Sequence, residues 1–310
     1  MKKAKFAWMR NYKGIYISLV LTFLLACQSE PIDFSNDDSA NIQNEVSADA
    51  YSNDVRDVSH LAVGANDATF SGKESNGRKI VFTINDALKR FECASVVLET
   101  AADNSIFRPK GTITIDFGTI GCKDLKGNFR KGKILVSYSG RRYNPNSSIV
   151  TTFDGYQVNN TKIEGSLKVS YSSLSTGEKV IFTETLTDGK VTWPDGTTTV
   201  RSESKRVEWS RNSLNPLNDQ WKVTTGDFPN YIAAGINRKG LVYEMKIIEP
   251  LIYTRQCILT SKGTVPVQGI KELLVGNKKI TADYGDGACD KQVTITIKGK
   301  SKLVELKSDI

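Results

Sequence analysis

The residues best suited to chemistry in this chain are its cysteines, of which it has five in 310 residues. Four of them form two spaced pairs: Cys93 precedes Cys122 by 29 positions, and Cys257 precedes Cys289 by 32. The downstream cysteines end two similar segments, Ile113-Thr-Ile-Asp-Phe-Gly-Thr-Ile-Gly-Cys122 and Ile280-Thr-Ala-Asp-Tyr-Gly-Asp-Gly-Ala-Cys289. In both segments an aromatic-Gly pair follows an Asp that lies six residues before the Cys. This shared motif predicts two related units.

The fifth cysteine, Cys27, follows a stretch with the features of an export signal. Five basic residues and no acidic one precede an apolar run over 15–26. A basic start, a short apolar core and a small residue before the cleavage point are typical of a secretory signal, and the run is too short to cross a bilayer of about 30 Å as a stable helix. The Leu24-Leu-Ala-Cys27 ending resembles the lipobox of bacterial lipoproteins. That resemblance implies that Cys27 is acylated and becomes the first mature residue.

The four remaining cysteines are an even number in an oxidising compartment, which favours disulfides. Of the three possible pairings, the repeat selects Cys93–Cys122 and Cys257–Cys289. A zinc site is the alternative, but it requires short Cys-x-x-Cys or His spacings, and the single histidine, His60, lies outside the predicted body. We therefore expect two disulfides, with no metal or other cofactor.

The sequence gives no indication of a nucleophilic catalytic site. Because the predicted body has no histidine, Ser-His-Asp and Cys-His arrangements are excluded there. The one Ser-x-x-Lys match, Ser202 to Lys205, lies in a predicted strand, where residues three apart point to opposite faces. We name no catalytic residue and predict a protein that is not an enzyme. The alternative kept open is a polysaccharide-acting hydrolase that uses paired carboxylates.

Asp283 and Asp286, with glycines at 285 and 287, form a weak candidate for a calcium site, because close-set carboxylates and glycines suit a hard cation. The segment lacks the remaining acidic ligands of an EF-hand. The alternative, which we favour, is a tight turn after a strand in which the Asp caps backbone amides.

Aromatic residues are better candidates for binding. Trp193 directly precedes a Pro-Asp-Gly reversal, and Trp209 lies near the end of the returning strand. Exposed Trp side chains on a β scaffold can stack on sugar rings or anchor protein contacts. In the alternative, these indoles and Trp221 cover the apolar side of the sheet.

The elements that position these residues are predicted to be β-strands. Runs of alternating apolar and polar residues, such as 112–117 and 167–171, are separated by turn sequences and recur about every ten residues. The best helix candidate, Asn85 to Cys93, is short. We predict an all-β fold, an elongated antiparallel meander or sandwich built from two related units, with at most one short helix.

One predicted strand, Thr197 to Trp209, has an unusual pattern. Arg201, Glu203 and Lys205 alternate with other polar residues, so both faces of the strand are polar. Because burial would specify the register of such a strand only weakly, we expect it in a hairpin that protrudes into water.

Composition sets the domain boundaries. Residues 1–26 are the predicted lipoprotein signal peptide. Residues 27–75 are rich in Ser, Asn, Asp and Ala and poor in aromatics, which predicts a flexible acidic tether. Residues 76–215 form the predicted first β unit, with extended hairpins, and residues 216–310 the second.

The charge of the chain is unevenly distributed. Residues 28–60 contain eight acidic residues and one basic residue, a net charge of −7, whereas the chain from Leu61 onward carries +10. We attribute the positive charge to lysines on solvated strand faces and edges. Nucleic acid is not an expected partner, because the protein is predicted to be exported and has no stacking motif of the usual kind.

The duplicated Asp-aromatic-Gly…Cys motif and the stretch from Gly235 to Tyr243 that leads to Cys257 are similar to a group of uncharacterised Bacteroidota lipoproteins. The similarity covers most of residues 61–310, and the group has no assigned activity to transfer. We expect an outer-membrane lipoprotein, held to the membrane by its lipid and facing either the periplasm or the cell exterior. Its expected role is non-catalytic: it binds a glycan or an envelope protein, or it is structural.

Overall fold

An antiparallel sheet of 16 strands dominates the structure, a computed structural model that describes residues 36–70, 77–228, 230–260 and 265–306. The helical elements are α1 (Asn36–Phe70), a 3-10 turn (Pro216–Asn218) and α2 (Arg255–Thr260). The strands are β1 (Lys79–Val81), β2 (Ser95–Thr100), β3 (Lys110–Asp116), β4 (Cys122–Lys123), β5 (Phe129–Ser139), β6 (Ser148–Val158), β7 (Thr161–Tyr171), β8 (Lys179–Thr192), β9 (Thr198–Ser210), β10 (Gln220–Thr225), β11 (Ala233–Ile236), β12 (Val242–Thr254), β13 (Gln268–Val275), β14 (Lys278–Asp286), β15 (Gln292–Ile297) and β16 (Lys300–Glu305).

The strand order is that of a meander. It runs β1-β2-β3-β5-β6-β7-β8-β9-β10-β12-β13-β14-β15-β16, with β4 paired to β5 and β11 paired to both β9 and β12. The predicted antiparallel all-β fold is therefore confirmed. The sheet is continuous across the predicted unit boundary near residue 215, because β9 and β10 pair directly, for example Trp209 with Trp221.

The sheet bends along a line of register shifts that crosses β5, β6, β7 and β8. In β5, Gly132 has a φ of +80°, and a Cβ atom there would lie 2.3 Å from the carbonyl oxygen of Gly155 in β6. In β7, Gly165 has a φ of +117°, and its Cβ would lie 2.8 Å from the carbonyl oxygen of Asp188. Glycine bulges of this kind bend strands and increase their twist, so they curve the sheet.

Helix α1 lies inside the curved sheet. All side chains from Glu45 to Tyr51 are buried, and seven consecutive residues point in every direction around a helix. The sheet therefore encloses α1 over two turns. The Tyr51 hydroxyl donates to Thr161 Oγ1 in β7 at 3.2 Å, and the Asn66 amide donates to the Tyr138 hydroxyl in β5 at 2.8 Å.

Three sequence predictions about local structure are wrong. The predicted flexible tether over 27–75 is helical over Asn36–Phe70, and at 35 residues α1 is not the single short helix expected. The candidate helix Asn85 to Cys93 forms turns instead. Because the 36–70 segment lacks the regular apolar stripe of a packed helix, its sequence gives a weak signal. Ion pairs with charged side chains of the strands stabilise the packing of this helix instead.

The predicted signal peptide over 1–26 and the acylation site Cys27 lie outside the described residues. Among the described residues, no helix is long and apolar enough to span a membrane.

Candidate functional site

Strand β9 carries the charged residues at the centre of the molecule. Alternate residues of a strand share a face, and Arg201, Glu203 and Lys205 point toward α1, where each is at most 9% exposed. The prediction that Thr197 to Trp209 protrudes into water is therefore wrong. The strand lies in the middle of the sheet, and its charged residues are stabilised there because α1 supplies acidic partners.

We call the resulting group the central charge cluster. It contains Glu45, Asp49 and Arg56 of α1, Glu184 of β8, Arg201, Glu203 and Lys205 of β9, and Lys271 of β13. Four of these side chains are acidic and four are basic, so the buried charges balance. Such balance is needed because an unpaired charge in a protein interior costs several kcal/mol.

Arg201 joins the acidic residues of two elements. Its Nη1 lies 3.2 Å from Glu45 Oε2, and its Nη2 lies 3.0 Å from both Asp49 Oδ1 and Glu203 Oε2. Lys205 Nζ lies 2.6 Å from the other oxygen of Glu203. The guanidinium and ammonium groups thus share the Glu203 carboxylate.

The pKa of Asp49 shows that the cluster keeps this carboxylate charged. Burial alone would raise that pKa, but the positive charges of Lys271 and Arg201 outweigh it and lower the pKa well below its ordinary value. Arg56 and Lys205 have the same effect on Glu184, whose pKa is also lowered against the effect of burial. These carboxylates are therefore ionic partners and are poorly suited to act as general acids.

Glu45 differs from the other acidic residues of α1. Its burial outweighs the opposing charge of Arg201, so its pKa is raised above the ordinary value for Glu. In a cleft open to substrate, a raised carboxyl pKa would suggest an acid catalyst. Glu45 is only 6% exposed and lies beneath the sheet, so this feature is a consequence of packing.

Ion pairs continue along α1 beyond the central charge cluster. Both carboxylate oxygens of Asp54 accept from Arg130 in β5, at 2.6 Å and 2.9 Å, and the same guanidinium donates to the Tyr156 hydroxyl at 2.8 Å. Near the amino end of the helix, Lys278 Nζ lies 2.5 Å from Asp38. The acidic segment that the sequence assigned to a tether is thus bound to basic groups of the sheet.

His60 is also buried against the sheet. Its Nε2 atom lies 3.1 Å from the Tyr171 hydroxyl of β7. Burial lowers the pKa of His60 to about 3, and the charge of Arg56 adds to the effect, so the ring is neutral near pH 7. The prediction that the only histidine lies outside the body is wrong, and its Nε2 atom pairs with a tyrosine hydroxyl rather than with a serine or cysteine.

A largely apolar pocket lies between α1 and strands β6 to β9. Its apolar walls include Val55, Phe153, Ile163, Leu167 and Leu186. One acidic residue, Glu164, is among the residues that line it, and its Oε1 accepts from Lys162 at 2.7 Å. Glu164 pairs with Lys190 and Lys190 with Val200, so the Glu164 carboxylate lies on the outer face of the sheet with the exposed Val200 side chain. Glycoside hydrolysis needs two carboxyl groups about 5–10 Å apart, and the lining of this pocket does not supply such a pair.

The predicted disulfides are confirmed. Cys93 is bonded to Cys122 with their Cα atoms 6.0 Å apart, and Cys257 to Cys289 with theirs 5.1 Å apart. Each bond closes a segment that contains one antiparallel hairpin, β2–β3 in the first case and β13–β14 in the second.

The two copies of the Asp-aromatic-Gly motif have the same local geometry. Asp116 accepts a hydrogen bond from the Gly118 amide at 2.8 Å, and Asp283 accepts one from the Gly285 amide at 2.9 Å. This is the capping turn that the sequence offered as the alternative to calcium at Asp283 and Asp286. In the described part of the chain, no three His, Cys, Asp or Glu side chains are grouped to hold a metal ion.

The two tryptophans proposed for binding are packed against other side chains. Trp193 and Trp209 are each 8% exposed. The guanidinium of Arg238 lies 4.2 Å from the Trp193 ring centroid, while Trp209 stacks on Trp221 with centroids 5.7 Å apart. Their positions match the alternative in which the indoles cover the sheet, because a sugar ring could stack on them only by displacing these contacts.

Comparison of the chain with protein-family models, with curated proteins and with solved structures finds no match.

Proposed function

We propose that this chain is a lipid-anchored protein of the outer membrane, facing the periplasm or the cell exterior, with a non-catalytic role. It binds a glycan or another envelope protein, or it is a structural component. The lipobox-like ending at Cys27 and the export signal before it support the anchor. The two disulfides are consistent with export, because such bonds persist in oxidising compartments.

The observation that carries the non-catalytic role is the enclosure of α1. In a curved sheet, the inner face is the usual place for a ligand or substrate. Here that face holds a helix of the same chain, and the carboxylates of Asp49, Glu184 and Glu203 are each within ion-pair distance of basic side chains. Apart from the largely apolar pocket beside α1, the inner face is thus occupied by packing, so a large partner such as a glycan chain or a protein would bind the outer surface of the sheet or its turns.

The proposal includes an internal duplication. The shared order of Cys, hairpin, capping Asp and Cys in 93–122 and 257–289 supports a common origin for the two hairpins. The strands between the two hairpins would then be later insertions that kept the meander continuous.

The anchor is tested by producing the full chain with its signal in a bacterial host and measuring the intact mass of the membrane fraction. We expect a mature chain that begins at acylated Cys27, and we expect Cys27→Ala to lose the acyl mass and the membrane association. An unmodified amino terminus at another residue would refute the anchor.

The binding role is tested with the acylated protein in detergent, on a glycan array and in a cross-linking pull-down from envelope extract. A saturable glycan or protein partner supports a binding role. Blank results in both assays leave the structural role, which predicts reduced envelope integrity when the gene is deleted. An intact envelope in that strain, together with blank binding assays, would contradict the whole proposal.

A further inference from the structure

The amino end of α1 lies among the turns at one end of the sheet. Asp38 is paired with Lys278, which begins β14 directly after the β13–β14 turn. The side chain of Asn237, in the β11–β12 turn, donates to Asn41 Oδ1 at 3.1 Å. We call this end, formed by the β8–β9, β11–β12 and β13–β14 turns, the tether end.

The tether end is the part of the described structure joined most directly to the proposed lipid. Nine residue steps separate Cys27 from Asn36, and a chain of that length spans at most about 30 Å. The β9–β10 turn lies at the opposite end, beyond the 13 residues of β9, which span about 43 Å as a strand. An acyl group on Cys27 would therefore hold the tether end, rather than the opposite end, near the bilayer.

The outer surface of the tether end carries a contiguous set of exposed aliphatic side chains. Val200, Ile236 and Val242 are direct cross-strand neighbours on β9, β11 and β12, and are 38%, 46% and 66% exposed. Leu241 in the adjacent turn is 47% exposed, and Leu274 on β13, 39% exposed, borders the set across the half-buried Glu244 of β12, with which it pairs. Single exposed apolar residues are ordinary, whereas a contiguous set marks an interaction surface.

Lysines flank this surface. Lys190 lies opposite Val200 and Lys279 lies opposite Leu274, with side chains 44% and 63% exposed. Lys190 is 4.0 Å from Glu164, and Lys279 is paired with Glu272. Because acidic partners offset both lysine charges, a partner that binds this surface would mainly contact its apolar side chains. Lysine stems can cover apolar surface while their charged ends stay at the level of lipid headgroups.

We propose that the tether end docks on the bilayer, with Val200, Ile236 and Val242 at the boundary between headgroups and acyl chains. This inference rests on the lipid anchor proposed above. Binding to a membrane becomes stronger as more apolar area is buried, and a second contact besides the anchor would also fix the orientation of the sheet. The sheet would then stand on the membrane with its β9–β10 turn directed away.

The test uses the acylated full chain in vesicles of phosphatidylethanolamine and phosphatidylglycerol. Val242→Cys provides a site for an environment-sensitive fluorophore, since the body cysteines form disulfides. The matched control is Leu214→Cys in the β9–β10 turn, where the native side chain is 96% exposed. We expect a blue shift and at least roughly threefold stronger quenching by brominated lipid at position 242 than at 214, as interfacial burial requires.

Each outcome decides the inference. Protein that does not float with the vesicles refutes the anchor and, with it, the docking. Protein that floats while both labels stay unquenched retains the anchor and overturns the docking. A blue shift at 242 without quenching by brominated lipid also overturns it, because the surface would then be covered by protein, such as a second copy. Ile236→Asp should weaken the quenching at 242 while flotation persists, and unchanged quenching would contradict the proposal.

Discussion

Lys271 Nζ lies 2.8 Å from Asp49 Oδ2 although 222 residues separate them in the chain. The other Asp49 oxygen lies 3.0 Å from Arg201 Nη2. One carboxylate on α1 therefore connects the helix to β9 and to β13. The early acidic segment and the distant strands form one electrostatic unit.

Asp49→Asn should strongly destabilise the fold, because it removes the carboxylate that faces Lys271 and leaves a buried positive charge uncompensated, while Arg201 keeps Glu45 and Glu203. Removing one partner of a buried pair costs about 3–5 kcal/mol, and urea denaturation would measure this as a loss of unfolding free energy. The control is Asp57→Asn on the same helix, whose side chain is 59% exposed and paired with Arg90. Arg90 itself is buried, but Asp86 still lies 2.6 Å from its Nε atom in this variant and compensates its charge. We therefore expect a much smaller loss of unfolding free energy than in Asp49→Asn, and equal losses in the two variants would refute the prediction.

Stability should fall as the pH drops below about 6.5, and His60 should cause part of this fall. Its pKa is about 3 in the folded protein and about 6.5 in an unfolded chain, so between these values the unfolded state binds the extra proton. The loss is up to about 1.4 kcal/mol per pH unit.

We expect His60→Gln to flatten the dependence of unfolding free energy on pH between 5 and 6.5, as measured by urea denaturation at each pH. Glu45, whose pKa is raised by burial, has the opposite effect: it makes the unfolding free energy rise as the pH falls. It is present in both proteins, so the difference between their slopes isolates His60. Identical slopes would mean that the imidazole is not excluded from water as the structure shows.

Each disulfide should stabilise the fold independently. Their sequence separations are 29 and 32, and closing loops of that size contributes about 3–4 kcal/mol on the chain-entropy model. Replacing both cysteines of one bridge with Ser should lower the urea midpoint and leave the other bridge intact, as non-reduced peptide mapping would show. Peptides that join Cys93 or Cys122 to the second pair would contradict the assigned connectivity.

Gly132→Ala should disturb the bend of the sheet, because the added methyl group would lie 2.3 Å from a backbone carbonyl oxygen of β6. Gly127→Ala is the matched control, since Gly127 also has a positive φ, +87°, but no atom lies within 4 Å of the place that its added methyl group would take. Backbone strain alone costs about 1–3 kcal/mol. If Gly132→Ala and Gly127→Ala lower the unfolding free energy equally, the close contact between Gly132 and the β6 backbone does not contribute to stability, and the prediction is wrong.

The strands could be predicted because their signal is local. In β3 the alternation of Ile113 and Ile115 with threonines places both isoleucines in the core, where each is fully buried. The disulfide pairing could also be predicted, since the duplicated motif distinguishes among three arrangements that spacing alone leaves equal.

Helix α1 could not be predicted from its own residues, because its burial depends on partners that are far away in the chain. Asp, Asn and Ser are weak helix formers, and a side chain such as Asp49 is tolerated inside only when a base such as Lys271 faces it. The available signal was the opposite net charge of 28–60 and of the chain from Leu61 onward. The same complementarity explains why β9 has a polar face and is nevertheless central.

The way in which α1 is bound to the sheet also decides how the protein would respond to mechanical load. Asp38 and Asp49 hold the helix to the adjacent strands β14 and β13, and Asp54 holds it to β5, which lies far from them in the sheet order. A force applied at the amino end of α1 would therefore be distributed over three strands of the sheet. A force on the edge strand β16 would instead load only its pairing with β15.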